Sequence, residues 1–97
     1  MTRQLALALA GSAALILAGS ATAASAADPG FCRDYARAAV RQTRAAQSHD
    51  RCTRHTEDGS RWSSDFGAHY NWCLSVHRED ADAERDARTR TLERCAH

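Results

Sequence analysis

From Asp28 onward, apolar positions recur at helical spacing in three stretches separated by polar, aperiodic sequence. In the first, Phe31, Cys32, Tyr35, Ala39, Gln42 and Ala46 fall on one face, and Arg33, Arg37, Arg41 and Arg44 fall together on the other. That segregation predicts an amphipathic helix of about four to five turns. Asp28-Pro29 supplies its start, a capping carboxylate followed by a proline whose fixed φ suits the first helical position. The pattern ends near Gln47. Residues 48–61 have no period and predict a loop around Cys52, with Gly59 as a turn. A second helix is predicted to begin near Ser63 or Ser64, either of which can cap it. Phe66, His69, Tyr70, Cys73, Val76 and His77 make its inner face, and Trp62 is placed to staple the start against Phe66. A third helix starts around Arg78 to Asp80, where the acids suit the helix dipole. Ala81, Glu84, Arg88, Thr91, Leu92 and Cys95 share its inner stripe. No alternating strand pattern occurs, so the predicted class is all-α, a small three-helix antiparallel bundle.

The N-terminal part follows different rules. Arg3 precedes an uncharged run from Leu5 to Leu17, and Ala21-Thr22-Ala23 and Ala24-Ser25-Ala26 both fit an A-x-A cleavage pattern. Residues 1–26 therefore read as a secretory signal peptide cleaved after Ala23 or Ala26, leaving 27–97 as one domain. The alternative is an uncleaved anchor helix, but the second half of the run is Ala, Ser, Thr and Gly. Ser20 stands where a lipidated cysteine would be needed, so no lipid anchor is expected. The expected localisation is periplasmic or secreted, without stable membrane insertion once the leader is gone.

A domain of this size with few large apolar residues needs staples. Cys32, Cys52, Cys73 and Cys95 all lie beyond the leader, and an even count in a small exported domain reads as a disulfide framework. Three pairings are possible, and helix geometry selects among them. Short connections make consecutive helices antiparallel. Cys32 and Cys73 then lie at one end of the bundle, and Cys52 and Cys95 at the other. Helices of roughly 20–27 Å, at 1.5 Å per residue, keep the two ends too far apart for a disulfide, whose Cα atoms lie within about 7 Å. The predicted bonds are Cys32–Cys73 and Cys52–Cys95.

Charge excludes one class of partner. The chain has no lysine, and residues 27–97 balance their arginines against an equal number of acids. A nucleic-acid binder would show a basic excess, so no nucleic-acid partner is expected. The distribution is uneven: residues 33–54 are arginine-rich and residues 57–97 acidic. Either the halves complement each other within the fold or the first presents an anion-binding face.

Candidate chemistry is sparse. His69, Cys73 and His77 are spaced i, i+4, i+8, a possible zinc pattern. A disulfide at Cys73 removes the thiolate and leaves His69 and His77 as weak metal candidates, so no metal or other cofactor is expected. A histidine near a carboxylate can form an acid–base pair. The competing reading is a partly buried hydrogen-bond network, because inward polar groups need partners. Gln42, Arg61, Trp62, His69, Trp72, Glu84 and Arg88 form this candidate binding set or inner polar network, with Glu84 and Arg88 in the favourable i, i+4 order for an ion pair. Trp62 and Phe66 are expected in the core, and Tyr70 and Trp72 nearer its edge. Three short helices are expected to leave little room for a pocket. No nucleophile motif, phosphate loop or paired-carboxylate spacing occurs.

The same residues compose a pattern: Cys32-x2-Tyr35-Ala36-x2-Ala39-Val40-x-Gln42, Gly59-x-Arg61-Trp62-Ser63, His69-x2-Trp72-Cys73, and Glu84-x3-Arg88-x3-Leu92-x2-Cys95. It resembles that of small four-cysteine exported helical modules of proteobacteria, which also occur appended to larger envelope proteins. The segment from Cys52 to Gly59 is longer and more polar than in that pattern. The resemblance implies an exported compartment and a compact fold, and carries no activity. The sequence thus points to a non-enzymatic module that binds a protein or envelope component. The alternatives are a His-based metal- or ligand-binding periplasmic protein, and a small secreted hydrolase or hydrolase inhibitor. It sets no oligomeric state.

Overall fold

The structure, a computed structural model, describes residues 27–97. The predicted leader, residues 1–26, lies outside the described residues. Helix α1 spans Pro29–Gln47, a 3-10 segment spans Asp50–His55, α2 spans Phe66–Leu74 and α3 spans Arg78–Cys95. Asp28 caps α1 as the sequence predicts, its Oδ1 accepting from the Phe31 N–H at 2.8 Å. At the other end the Ser48 N–H reaches the carbonyls of Arg44 and Ala45. The predicted loop 48–61 is more ordered than its lack of period implies: a 3-10 segment carries Cys52 into the interior, where it is fully buried.

Helix α2 starts later than predicted. Asp65 is its cap, accepting from the Ala68 N–H at 3.3 Å. Ser63 cannot begin the helix because its carbonyl is already taken, by Thr43 Oγ1 at 3.1 Å and His69 Nε2 at 2.8 Å. Its hydroxyl instead accepts from the Asp65 N–H at 2.9 Å. Helix α3 begins where predicted, with Asp80 accepting from the His77 N–H at 3.3 Å.

Helix α1 is the central element and packs against both α2 and α3. Its packing face is made of small residues, with Cys32, Ala36 and Ala39 wholly buried and Thr43 nearly so. Small side chains let two helices approach one at close range, and a larger residue there would overpack by about 1–3 kcal/mol. The chain runs up, down and up, giving the expected all-α three-helix antiparallel bundle.

Both disulfides form as the geometry predicts. Cys32–Cys73 has a Cα separation of 5.5 Å and Cys52–Cys95 one of 5.0 Å. Each is the centre of an apolar cluster. Ala27, Tyr35 and Ala81 surround the first, with Phe31, Tyr70 and Val76 packed on the outside. Ala46 and Trp62 surround the second, flanked by Leu92 and Ala96. Disulfides of this kind belong to an oxidising environment. No helix of the described residues is long and apolar enough to cross a membrane.

Trp62 lies in the core as expected, but the staple predicted for it and the burial predicted for Phe66 do not hold. Trp62 does not staple α2 but packs on the Cys52–Cys95 disulfide. Phe66 is 40% exposed and stacks on Tyr70, with centroids 6.1 Å apart. Phe66 is the first residue of α2, and its ring stacks on Tyr70 while His69 and Cys73 fill the inner face.

Candidate functional site

Between the two disulfide clusters lies a polar layer, and Arg88 is its hub. Arg88 is 0% exposed, the largest wholly buried side chain. Its Nε donates to Gln42 Oε1 at 2.8 Å and its Nη1 to the Arg61 carbonyl at 3.3 Å. Its Cζ lies 5.1 Å from the Tyr35 ring centroid, within cation–π range. Nη2 is buried with no hydrogen-bond partner among the described residues. Gln42 completes the α1–α3 link through its own Nε2, which donates to Thr89 Oγ1 at 2.9 Å and to the Arg85 carbonyl at 3.3 Å.

The sequence pairs Glu84 with Arg88, but the closer partner is Arg61. Arg61 Nε and Nη2 each donate to one Glu84 oxygen at 2.9 Å, the bidentate geometry a guanidinium favours. Arg88 Nη1 stands 4.0 Å from Glu84 Oε1. The i, i+4 spacing lies along one helix, whereas the 58–62 turn delivers Arg61 face-on to the carboxylate. Glu84 holds the Arg61 guanidinium further toward its charged form, by hydrogen bonding first and by charge second.

That turn is set by Asp58. Its Oδ1 accepts from the Ser60 hydroxyl at 2.7 Å, the Ser60 N–H at 3.0 Å and the Arg61 N–H at 3.2 Å. These bonds, the Ser60 hydroxyl foremost, lower the Asp58 pKa from its ordinary value. An Asx turn of this kind needs a short side chain ending in an acceptor oxygen, which Asp58 supplies.

The turn, α2 and the polar layer enclose a cleft of about 350 Å³. Tyr35, Arg88 and His69 line it from the interior, Trp72 and Ala68 from α2, and Arg61, Glu84, Asp58 and Ser60 from the opposite side and the turn. The expectation that three short helices leave little room is therefore corrected: the turn stands off α2 and leaves a cleft between them. Trp72 is 38% exposed and tilts over the buried Tyr35 ring at 5.7 Å.

His69 is buried, and its Nε2 donates to the Ser63 carbonyl. A carbonyl only accepts, so Nε2 carries the proton. Its bonded partner is thus a backbone carbonyl, not the carboxylate that an acid–base pair would require. His77 is exposed at the start of α3, its Nδ1 3.7 Å from Asp80 Oδ2. No group of three metal-ligating side chains occurs among the described residues.

Of the candidate set, the structure brings Arg61, His69, Trp72, Glu84 and Arg88 to one cleft. Gln42 stands behind it, holding Arg88, and Trp62 belongs to the apolar cluster beyond. The sequence reading missed Asp58, Ser60 and Ser63, although Asp58-Gly59-Ser60 is a turn signature that could have marked the lip. Two surfaces lie apart from the cleft. Phe66, Tyr70 and Leu74 run at i, i+4, i+8 along α2, with Phe66 and Leu74 each 40% exposed. The arginine face of α1 is solvent-exposed, and its Arg37 pairs only locally with Asp34 at 3.3 Å. Among the described residues, no ion pair between side chains joins segment 33–54 to segment 57–97, although the Arg51 guanidinium donates to the His97 main-chain oxygen. Compared with protein families, curated proteins and solved structures, the chain matches none.

Proposed function

We propose that this protein is an exported, non-enzymatic binding module of the periplasm or extracellular space, and that it recognises an envelope component through the cleft beside Trp72. The observation that carries this reading is Trp72 itself. A large aromatic left 38% exposed, seated on a buried ring and next to a concave polar surface, is a rigid contact surface that loses little entropy on binding. The ionisable groups around it favour binding over chemistry. Both Glu84 oxygens are committed to Arg61, and the protonated His69 nitrogen to Ser63. The disulfides on either side keep the cleft from collapsing in an oxidising compartment.

The test is capture from a cell-envelope extract with the oxidised protein and its Trp72→Ala variant. Retention of the same component by the wild type and its loss with the variant supports the reading. Equal retention by both, or none by either, refutes it.

A further inference from the structure

Resting on that reading, we propose that the cleft binds a single sugar ring of an envelope glycan, stacked on Trp72 and hydrogen-bonded to the 58–61 turn. Three observations carry it. The first is charge balance: Arg61 and Arg88 face Glu84 and Asp58, two cations against two anions in one cleft. Such a cleft gains nothing from a charged ligand and suits a neutral one. The second is its hydrogen-bonding inventory. Beyond the bonds these groups make with one another, Arg61 Nη1 keeps a donor, and Asp58 Oδ2 and the Ser60 hydroxyl oxygen keep acceptors, at the cleft. A ligand using both must donate and accept at closely spaced points, as adjacent ring hydroxyls do and as an apolar or purely anionic molecule does not. The third is the aromatic wall. Trp72 lies over Tyr35 at 5.7 Å, and Tyr35 is 1% exposed, so the indole is backed by a fixed ring and its outer face is free. A pyranose has a C–H face that packs on an aromatic and an equatorial rim of hydroxyls that reaches polar groups beside it. At about 350 Å³ the cleft is at the small end of ligand pockets, which span about 300–1,000 Å³, and holds one ring rather than a chain.

Titration of the oxidised protein with chitotriose, cellotriose and maltotriose, read by isothermal calorimetry so that wild type and variants share one readout, tests the proposal. Saturable binding of at least one trisaccharide is expected, weakened by about tenfold or more in Trp72→Ala, as for an aromatic anchor. Arg37→Gln, on the exposed face of α1 away from the cleft, is expected to bind within about threefold of wild type, about 0.7 kcal/mol at most. Far-ultraviolet circular dichroism of both variants checks that they fold. Absence of saturable binding to all three sugars, or binding that Trp72→Ala leaves intact, overturns the proposal. If the envelope capture still depends on Trp72 while the sugars fail, the ligand class is wrong and the cleft remains the binding site.

Discussion

Arg88 Nε donates to Gln42 Oε1 at 2.8 Å across the α1–α3 interface, inside a layer that separates the two apolar clusters. The acceptor neutralises part of the cost of burying a guanidinium, and Gln42 is held in turn by Thr89 and the Arg85 carbonyl. Gln42→Ala leaves Nε buried without a partner, which costs about 2 kcal/mol, in the range for an unsatisfied buried donor. Urea unfolding is expected to show a lower midpoint with an unchanged slope, because the surface exposed on unfolding stays the same. Arg88→Lys is expected to lose a similar amount, since a single ammonium cannot reach both Gln42 and the Arg61 carbonyl. A midpoint within error of wild type for Gln42→Ala would show that water replaces the side chain.

The disulfides carry a large share of stability. Their sequence separations are 41 and 43, so each closes a loop worth about 4 kcal/mol in the chain-entropy account. Small domains are stable by about 5–15 kcal/mol in total. The Cys52→Ala/Cys95→Ala double variant is therefore expected to be marginal, and full reduction to abolish cooperative unfolding. Non-reducing peptide mapping should yield Cys32–Cys73 and Cys52–Cys95 linked peptides. A Cys32–Cys52 peptide would contradict the bundle directly.

Trp62 and Phe66 offer the sharpest stability contrast. Trp62 is 7% exposed against the Cys52–Cys95 disulfide, and Phe66 is 40% exposed. Trp62→Ala is expected to cost about 3–5 kcal/mol, the range for a large aromatic removed from a core. Phe66→Ala, already largely hydrated, is expected to cost about 1 kcal/mol or less. Thermal or urea unfolding of the two variants decides it, and equal losses would mean that Phe66 is packed as the sequence alone implies.

That contrast also marks where the sequence stops being readable. Periodicity located α1 and α3 because both are long and present a consistent buried stripe, with a capping aspartate at the start of α1 and acids in the first turn of α3. The cysteine positions along them then left one pairing that geometry permits. Helix α2 is only nine residues long, and its start depends on Ser63, whose carbonyl is claimed by Thr43 and His69. The first of those bonds spans 20 positions, and no local window contains it. The same limit hid the cleft. Inward placement of Glu84 and Arg88 was legible from spacing along α3, but Arg61 reaches Glu84 from a turn 23 residues away. The i, i+4 rule therefore named a weaker partner than the one the fold supplies.

Tyr35 makes stability fall at alkaline pH. Burial raises its pKa above the ordinary value, and the nearby Arg88 guanidinium only partly offsets the effect. The folded state therefore holds the phenol neutral where the unfolded chain would ionise it. Above the ordinary tyrosine pKa, about 10, the unfolded state binds fewer protons than the folded one, so the free energy of unfolding falls as pH rises. Stability from this group is intact below that value and is lost from it upward, by about 1.4 kcal/mol per pH unit until the folded pKa is reached. Urea midpoints measured from about pH 8 to about pH 11 should decline above about pH 10, and the decline should be shallower in Tyr35→Phe. The same slope in both proteins would assign the alkaline loss to other groups and show that Tyr35 ionises freely within the fold.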